Sequence, residues 1–115
     1  TPIDRRKIAR YRRMRRSLAD RLIRRVFGPP RPGRRPLAAA TFMRRVKSDL
    51  RRAVRRRTDA SDYAIHQALR LIIERCAAGH LTVNVPARAA RRNAVWLTVR
   101  LIDLLNQRVR RRVAV

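Results

Sequence analysis

The stretch SDYAIHQALRLIIERCAAG, residues 61–79, places Ile65, Leu69, Ile72 and Cys76 at intervals of four, three and four. That is the repeat of one face of an α-helix and not the alternation of a strand. Ala68 and Ile73 widen the face. Ahead of it, Thr58-Asp59-Ala60-Ser61-Asp62 concentrates capping residues, and either Asp59 or Ser61 can accept the open amides of a first helical turn. At the other end Gly79 suits the left-handed position that closes a helix. The segment is the least basic part of the chain, so it is expected to be the packing centre of the domain.

On the N-terminal side a second helix is predicted from Thr41, a candidate N-cap, with Met43, Val46, Leu50 and Val54 on one stripe and Arg44, Arg45, Lys47, Arg51, Arg52, Arg55 and Arg56 elsewhere. On the C-terminal side Leu81-Thr82-Val83-Asn84-Val85 is rich in β-branched residues, but a lone strand leaves its backbone unpaired, and the segment reads as a loop. Asn84 or Val85 then precedes a helix opened by Pro86, a residue favoured in a first turn. Its stripe is Ala90, Ala94, Leu97, Leu101 and Leu104, widened by Val95, Val99 and Ile102.

Farther out, Ile8, Tyr11, Leu18, Leu22 and Val26 mark a helix over Ile3 to Phe27 whose polar side is almost wholly cationic. Like charges four apart disfavour it by a few tenths of a kcal/mol each, so an anionic partner is expected to help order it. Gly28-Pro29-Pro30-Arg31-Pro32-Gly33-Arg34-Arg35-Pro36 cannot continue a helix, because proline lacks the backbone donor; it is either a plain spacer or an arginine-bearing arm. The fold class predicted is all-α: a three-helix bundle or helical hairpin with a separate basic N-terminal helix. The divisions are 1–27 for that helix, 28–40 for the Pro/Arg-rich linker, 41–107 for the helical domain and 108–115 for a frayed basic tail.

Charge narrows the partner. Of 115 residues 32 are Lys or Arg and seven are Asp or Glu, a formal net charge of +25 that a free domain of this size would bear as strong self-repulsion. Only Lys7 and Lys47 are lysines, which leaves thirty arginines. GC-rich coding can contribute to such a bias, and so can chemistry, since the planar guanidinium matches phosphate oxygens two at a time and stacks on bases. A cationic run is ordinarily a solvated helix face balanced by acids; here the balance is missing, which favours phosphate contact. The candidate RNA contacts are Arg5, Arg6, Arg10, Arg12, Arg13 and Arg16 on the first helix, Arg31, Arg34 and Arg35 in the linker, Arg44, Arg45, Lys47, Arg51, Arg52, Arg55 and Arg56 on the second helix, Asn84 in the loop that follows the third, and Arg88, Arg91, Arg92, Arg110 and Arg111 near the C-terminus.

Catalytic chemistry has no foothold. The seven acids are scattered among arginines in capping or ion-pairing positions, the three glycines form no phosphate-cradling loop, and Cys76, His66 and His80 lack zinc-ligand spacing. Neither an enzyme, a cofactor nor a small-molecule substrate is expected. No apolar run reaches the roughly 18 residues of a membrane span; the best, Ala94 to Leu105, is broken by Arg100 and Asp103. Trp96 and Tyr63 adjoin helical core positions, where packing protein against protein is the expected role and base stacking the alternative. The first residue is Thr1 and not Met, as removal of an organellar import leader would leave it, and as a truncated chain would also read.

Ala77-Ala78-Gly79-His80-Leu81, then Asn84, then Ala89-Ala90-Arg91-Arg92-Asn93-Ala94 resembles the bacterial-type small-subunit ribosomal protein S-twenty family, in which a glycine closes the second helix and an Asn and Ala-Ala-Arg follow. The resemblance covers the layout of residues 41–105. It departs in a longer interval from the glycine to Ala-Ala-Arg, in Thr82-Val83 where His-Lys is usual, and in the proline-rich linker that splits one long helix. It implies a helical bundle bound to small-subunit ribosomal RNA beside neighbouring ribosomal proteins, with Asn84 opening the last helix and Arg91 and Arg92 facing RNA. The expected function is thus structural, in a small ribosomal subunit, with the mitochondrial matrix as the setting and plastid or bacterial cytoplasm as others. Another ribonucleoprotein component, a DNA-compacting nucleoid protein, and a membrane-surface or respiratory-complex accessory protein remain as alternatives.

Overall fold

The computed structural model describes the backbone of residues 18–27, 33 and 35–113, with side chains as far as residue 106. Expectations for residues 1–17, 28–32 and 34, and for the side chains of Arg110 and Arg111, lie outside the described residues. Among the described residues four helices follow one another: α1 (residues 18–27), α2 (Ala39–Arg55), α3 (Asp62–Ala78) and α4 (Ala87–Val113). No strand occurs among the described residues, and the fold is all-α. Helices α2, α3 and α4 touch one another pairwise, which makes a three-helix bundle.

The core assembles on α3, whose Ile65, Ala68, Leu69, Ile72 and Cys76 are all buried, as their spacing predicts. Across from them lie Met43, Val46, Leu50 and Val54 of α2, joined by Ala39, Ala40 and Phe42. From α4 come Ala90, Ala94, Leu97 and Leu101, with Val95 and Ile102 at the edge and Leu104 half-buried. Thr98 is wholly buried there, and its hydroxyl donates to the Ala94 carbonyl at 2.7 Å, so the buried hydroxyl is matched. Burial pushes the Cys76 thiol up to about 12.

Helix α1 enters the same core, but on a rotated face. Ala19, Ile23 and Phe27, at steps of four, are buried, whereas Leu22 and Val26 are only partly covered. The stripe centred on Leu18, Leu22 and Val26 is therefore the flank. The orientation is set by the large Phe27 ring turning inward and by Asp20, whose carboxylate takes both Nε and Nη2 of Arg75 on α3 at 2.6 and 2.8 Å.

The connections depart most from expectation. Helix α2 starts two residues before Thr41, with Ala38 at the N-cap and no side-chain cap. Tertiary structure supplies what the cap would: the Ala39 amide donates to the Leu81 carbonyl at 2.8 Å, and Val83 returns a bond to Leu37 at 2.9 Å. Leu81–Val85 is thus not an unpaired loop, since Thr82 forms an isolated antiparallel bridge with Ala38. At the start of α3 it is Ser61, and not Asp59, whose hydroxyl accepts from the Ala64 amide. Helix α4 begins at Ala87, with the Pro86 carbonyl accepting its first bond from Ala90. Its backbone stays helical to Val113, through the arginines expected to fray, because arginine is among the better helix formers.

Gly79 does not take the left-handed conformation; its φ is −89°. His80 does, at φ 49°. The Leu81 amide reaches back to the Cys76 carbonyl at 3.1 Å and the His80 amide to Ala77 at 3.2 Å, the paired bonds of a Schellman closure, with Leu81 buried beyond it. This registers the left-handed residue one place later than the glycine. His80→Gly is expected to raise unfolding free energy by about 1 kcal/mol, the strain of an L-residue at that φ. Gly79→Ala, whose new Cβ would meet the Arg75 carbonyl and Leu81 Cγ at an ordinary 3.4 Å, should change it by less than about 0.5 kcal/mol. Urea denaturation measures both. In the same titration Cys76 should resist alkylation at pH 8 until the unfolding transition; labelling in the folded baseline would contradict the packing described.

Candidate nucleic-acid interface

An α-helix turns about 100° per residue. With Met43, Val46, Leu50 and Val54 inward, Arg44, Arg51 and Arg55 fall along one line of the outer surface of α2 and Arg45 and Arg52 along the next, all exposed. Arg56 is exposed just past the helix end, and Lys47 is half-buried on the flank, where its alkyl stem covers the core edge. Arg55 is engaged with Asp62 at the start of α3. Among the described residues no ion pair reaches Arg44, Arg45, Arg51, Arg52 or Arg56.

On α4, Arg88, Arg91 and Arg92 are exposed. Arg91 lies 3.9 Å from Asp49 of α2, an outer-edge ion pair that links the two basic helices. Arg35, in the linker, is exposed as well. Asn84 is half-buried, and its side-chain amide donates to the Phe27 carbonyl at 2.9 Å, so it fastens the end of α1 to the loop before α4.

Several cations on the same surfaces were not singled out by the sequence. Arg21, Arg24 and Arg25 of α1 are exposed, as are Arg57 after α2 and Arg100 on α4. The α1 residues become legible only once the buried face is known to run through Ala19, Ile23 and Phe27. Arg100 lay inside an apolar run and read as its interruption. Trp96 and Tyr63 are 46% and 72% exposed and lie outside the buried core, with Tyr63 at the rim of a groove beside α3.

The charge is unevenly spread. All four charged side chains of α3 are in ion pairs: Asp62 with Arg55, Arg70 with Glu74 at 3.1 Å, and Arg75 with Asp20. The hydrogen bond to Asp20 raises the Arg75 pKa against the opposing effect of partial burial, so its charge is secure and directed inward. Helix α3 thus presents a neutral face, beside a groove of about 480 Å³ floored by Ala68, Leu71, Ile102 and Leu105. The outer faces of α1, α2 and α4 carry arginines that, Arg55 and Arg91 apart, have no acidic partner among the described residues. Cations spaced within about 10 Å repel at moderate salt, and a polyanion laid across them relieves that repulsion.

Among the described residues no three His, Cys, Asp or Glu side chains gather where they could hold a metal ion, and no helix is long and apolar enough to cross a membrane. Compared with known proteins, the chain matches no family model, no curated protein and no solved structure.

The Arg75–Asp20 pair is the polar fastening of α1 to the bundle, half-exposed and bidentate. A double-mutant cycle of Asp20→Ala and Arg75→Ala should return a coupling energy of about 0.5–1 kcal/mol, the upper range for a solvent-screened pair with good geometry. A value near zero would mean that apolar contacts of Ile23 and Phe27 alone hold α1.

Proposed function

We propose that this chain is a structural RNA-binding constituent of a ribonucleoprotein, the small ribosomal subunit, and that it works by electrostatic clamping of the phosphate backbone. One observation carries the reading: arginines stand in rows on helix faces around a neutral core helix, and among the described residues Arg44, Arg45, Arg51, Arg52, Arg88 and Arg92 of those rows have no acidic partner. Guanidinium groups fixed at helical spacing can meet phosphates of a folded RNA two oxygens at a time, whereas the same charges on a random tail would have to be ordered at each contact. Binding of this kind positions the protein and fixes RNA shape without reading sequence.

The likeness of Ala77–Leu81 and Ala89–Ala94 to the S-twenty pattern is what narrows the particle to the small ribosomal subunit, with ribosomal RNA and neighbouring ribosomal proteins as partners. A mitochondrial ribosome is the proposed setting. Helix α4 opens at Ala87 and not at the Asn84 that the resemblance implies, and Arg91 and Arg92 are both exposed on it.

Replacing Arg44, Arg51 and Arg52 together by Gln removes three phosphate contacts without releasing an acid, unlike any set that includes Arg55. The dependence of log affinity for RNA on log salt should then flatten by about two units, since each contact contributes roughly 0.7–0.9. Arg70→Gln, on the neutral face, should leave the slope unchanged. Equal slopes for the triple variant and the parent would sink the clamp. Gradient sedimentation adds the particle: co-migration with the small subunit, lost after ribonuclease, is expected. Ribonuclease-resistant association with DNA would favour the nucleoid alternative, and detergent-dependent fractionation the membrane-surface one.

A further inference from the structure

The exposed Trp96 has no structural employment on α4, and its neighbours suggest a chemical one. The buried side of that helix is drawn from Ala90, Ala94, Leu97, Thr98 and Leu101, and Trp96 stands on the opposite side, 46% exposed. Four residues before it is Arg92 and four after it is Arg100, both exposed and both without an ion pair among the described residues. Each step of four advances about 6 Å along the axis and rotates only about 40°, so the indole lies between two guanidinium groups on one line of the surface.

Leaving an indole in water is unfavourable, and a ring there is best covered by a flat partner. The two unmatched cations require that this partner be flanked by negative charge on both sides. An apolar protein helix supplies the cover without the charge. A duplex supplies the charge but keeps its base faces inside the stack. An unpaired nucleotide within a phosphate chain supplies both, because its base exposes a π-face and its two neighbouring phosphates are held by the same strand.

We propose that Trp96, between Arg92 and Arg100, is a stacking platform for one unpaired RNA base whose flanking phosphates rest on the two arginines. The assignment deepens the RNA-binding reading above and rests on it. It adds a site that distinguishes single-stranded or bulged RNA from perfect duplex, which the arginine rows of α2 do not.

Trp96 is the only tryptophan in the chain, so intrinsic fluorescence reports on this site without a label. The full-length chain is titrated with single-stranded oligoadenylate, with duplex RNA of equal phosphate number and with heparin, which has the charge and no bases. Strong quenching by the single strand, and little by duplex or heparin, is the expected result. Trp96→Leu should weaken single-strand affinity about tenfold with the salt slope unaltered, duplex affinity should shift less than twofold, and Trp96→Phe should restore most of the loss. Circular dichroism confirms that each variant is folded, and the quenching comparison on the parent chain needs no variant at all. Equal quenching by all three ligands, or unchanged single-strand affinity in Trp96→Leu, overturns the proposal. So does an indole silent to all three yet shielded from acrylamide in ribonuclease-treated particles, which would assign the face to a protein. Tight, salt-dependent RNA binding with a silent indole defeats only the stacking site; absence of RNA binding altogether defeats the reading beneath it.

Discussion

Mutual repulsion among 32 cationic side chains is the constraint to which every other feature of this molecule answers. A compact fold brings those charges together, and compaction survives only if arginines point away from the centre while the centre itself stays neutral. Helix α3 meets the second condition, with each of its charges paired. Helices α2 and α4 meet the first by turning apolar stripes onto α3. The core is therefore built outward from the one helix that contributes no net charge, and what remains on the periphery is a surface dense in arginine.

Much of this was legible because helical periodicity is a local property. Ile65, Leu69, Ile72 and Cys76, and likewise Met43, Val46, Leu50 and Val54, each define one unambiguous stripe, and the arginines of α2 then fall outside by geometry. Helix α1 offered two overlapping stripes, and the choice between them was made by Arg75, a residue far away in the chain. For the same reason Arg21, Arg24 and Arg25 escaped notice. Pairing between Ala38 and Thr82, the inward turn of Asn84 and the capping of α2 by the Leu81 carbonyl are all tertiary contacts of short irregular segments, where sequence pattern carries little signal. The closure of α3 shows a finer limit: glycine marked the right turn, but hydrogen-bond register put the left-handed φ on His80.

The division of the surface has a functional logic. On the reading proposed above, arginine rows on helix faces would give a strong but indiscriminate attraction to phosphate. Discrimination must come from groups that sense something else, and on the described surface two stand out: an exposed indole on α4, and the groove beside α3, whose two charged lining residues, Arg70 and Glu74, neutralise each other.

The bridge between Ala38 and Thr82 has a kinetic meaning as well as a structural one. Its two backbone bonds close a ring that contains the whole α2–α3 hairpin. Formed early, that ring would have to be drawn from an open chain at the full entropic cost of closure; formed after the hairpin, its ends are already neighbours and the cost is largely met. The order this implies is hairpin first, clasp second, and only then α1, whose anchors at Asn84 and Arg75 flank the finished clasp. In a chain emerging from synthesis α1 would thus be made before the bundle and docked after it.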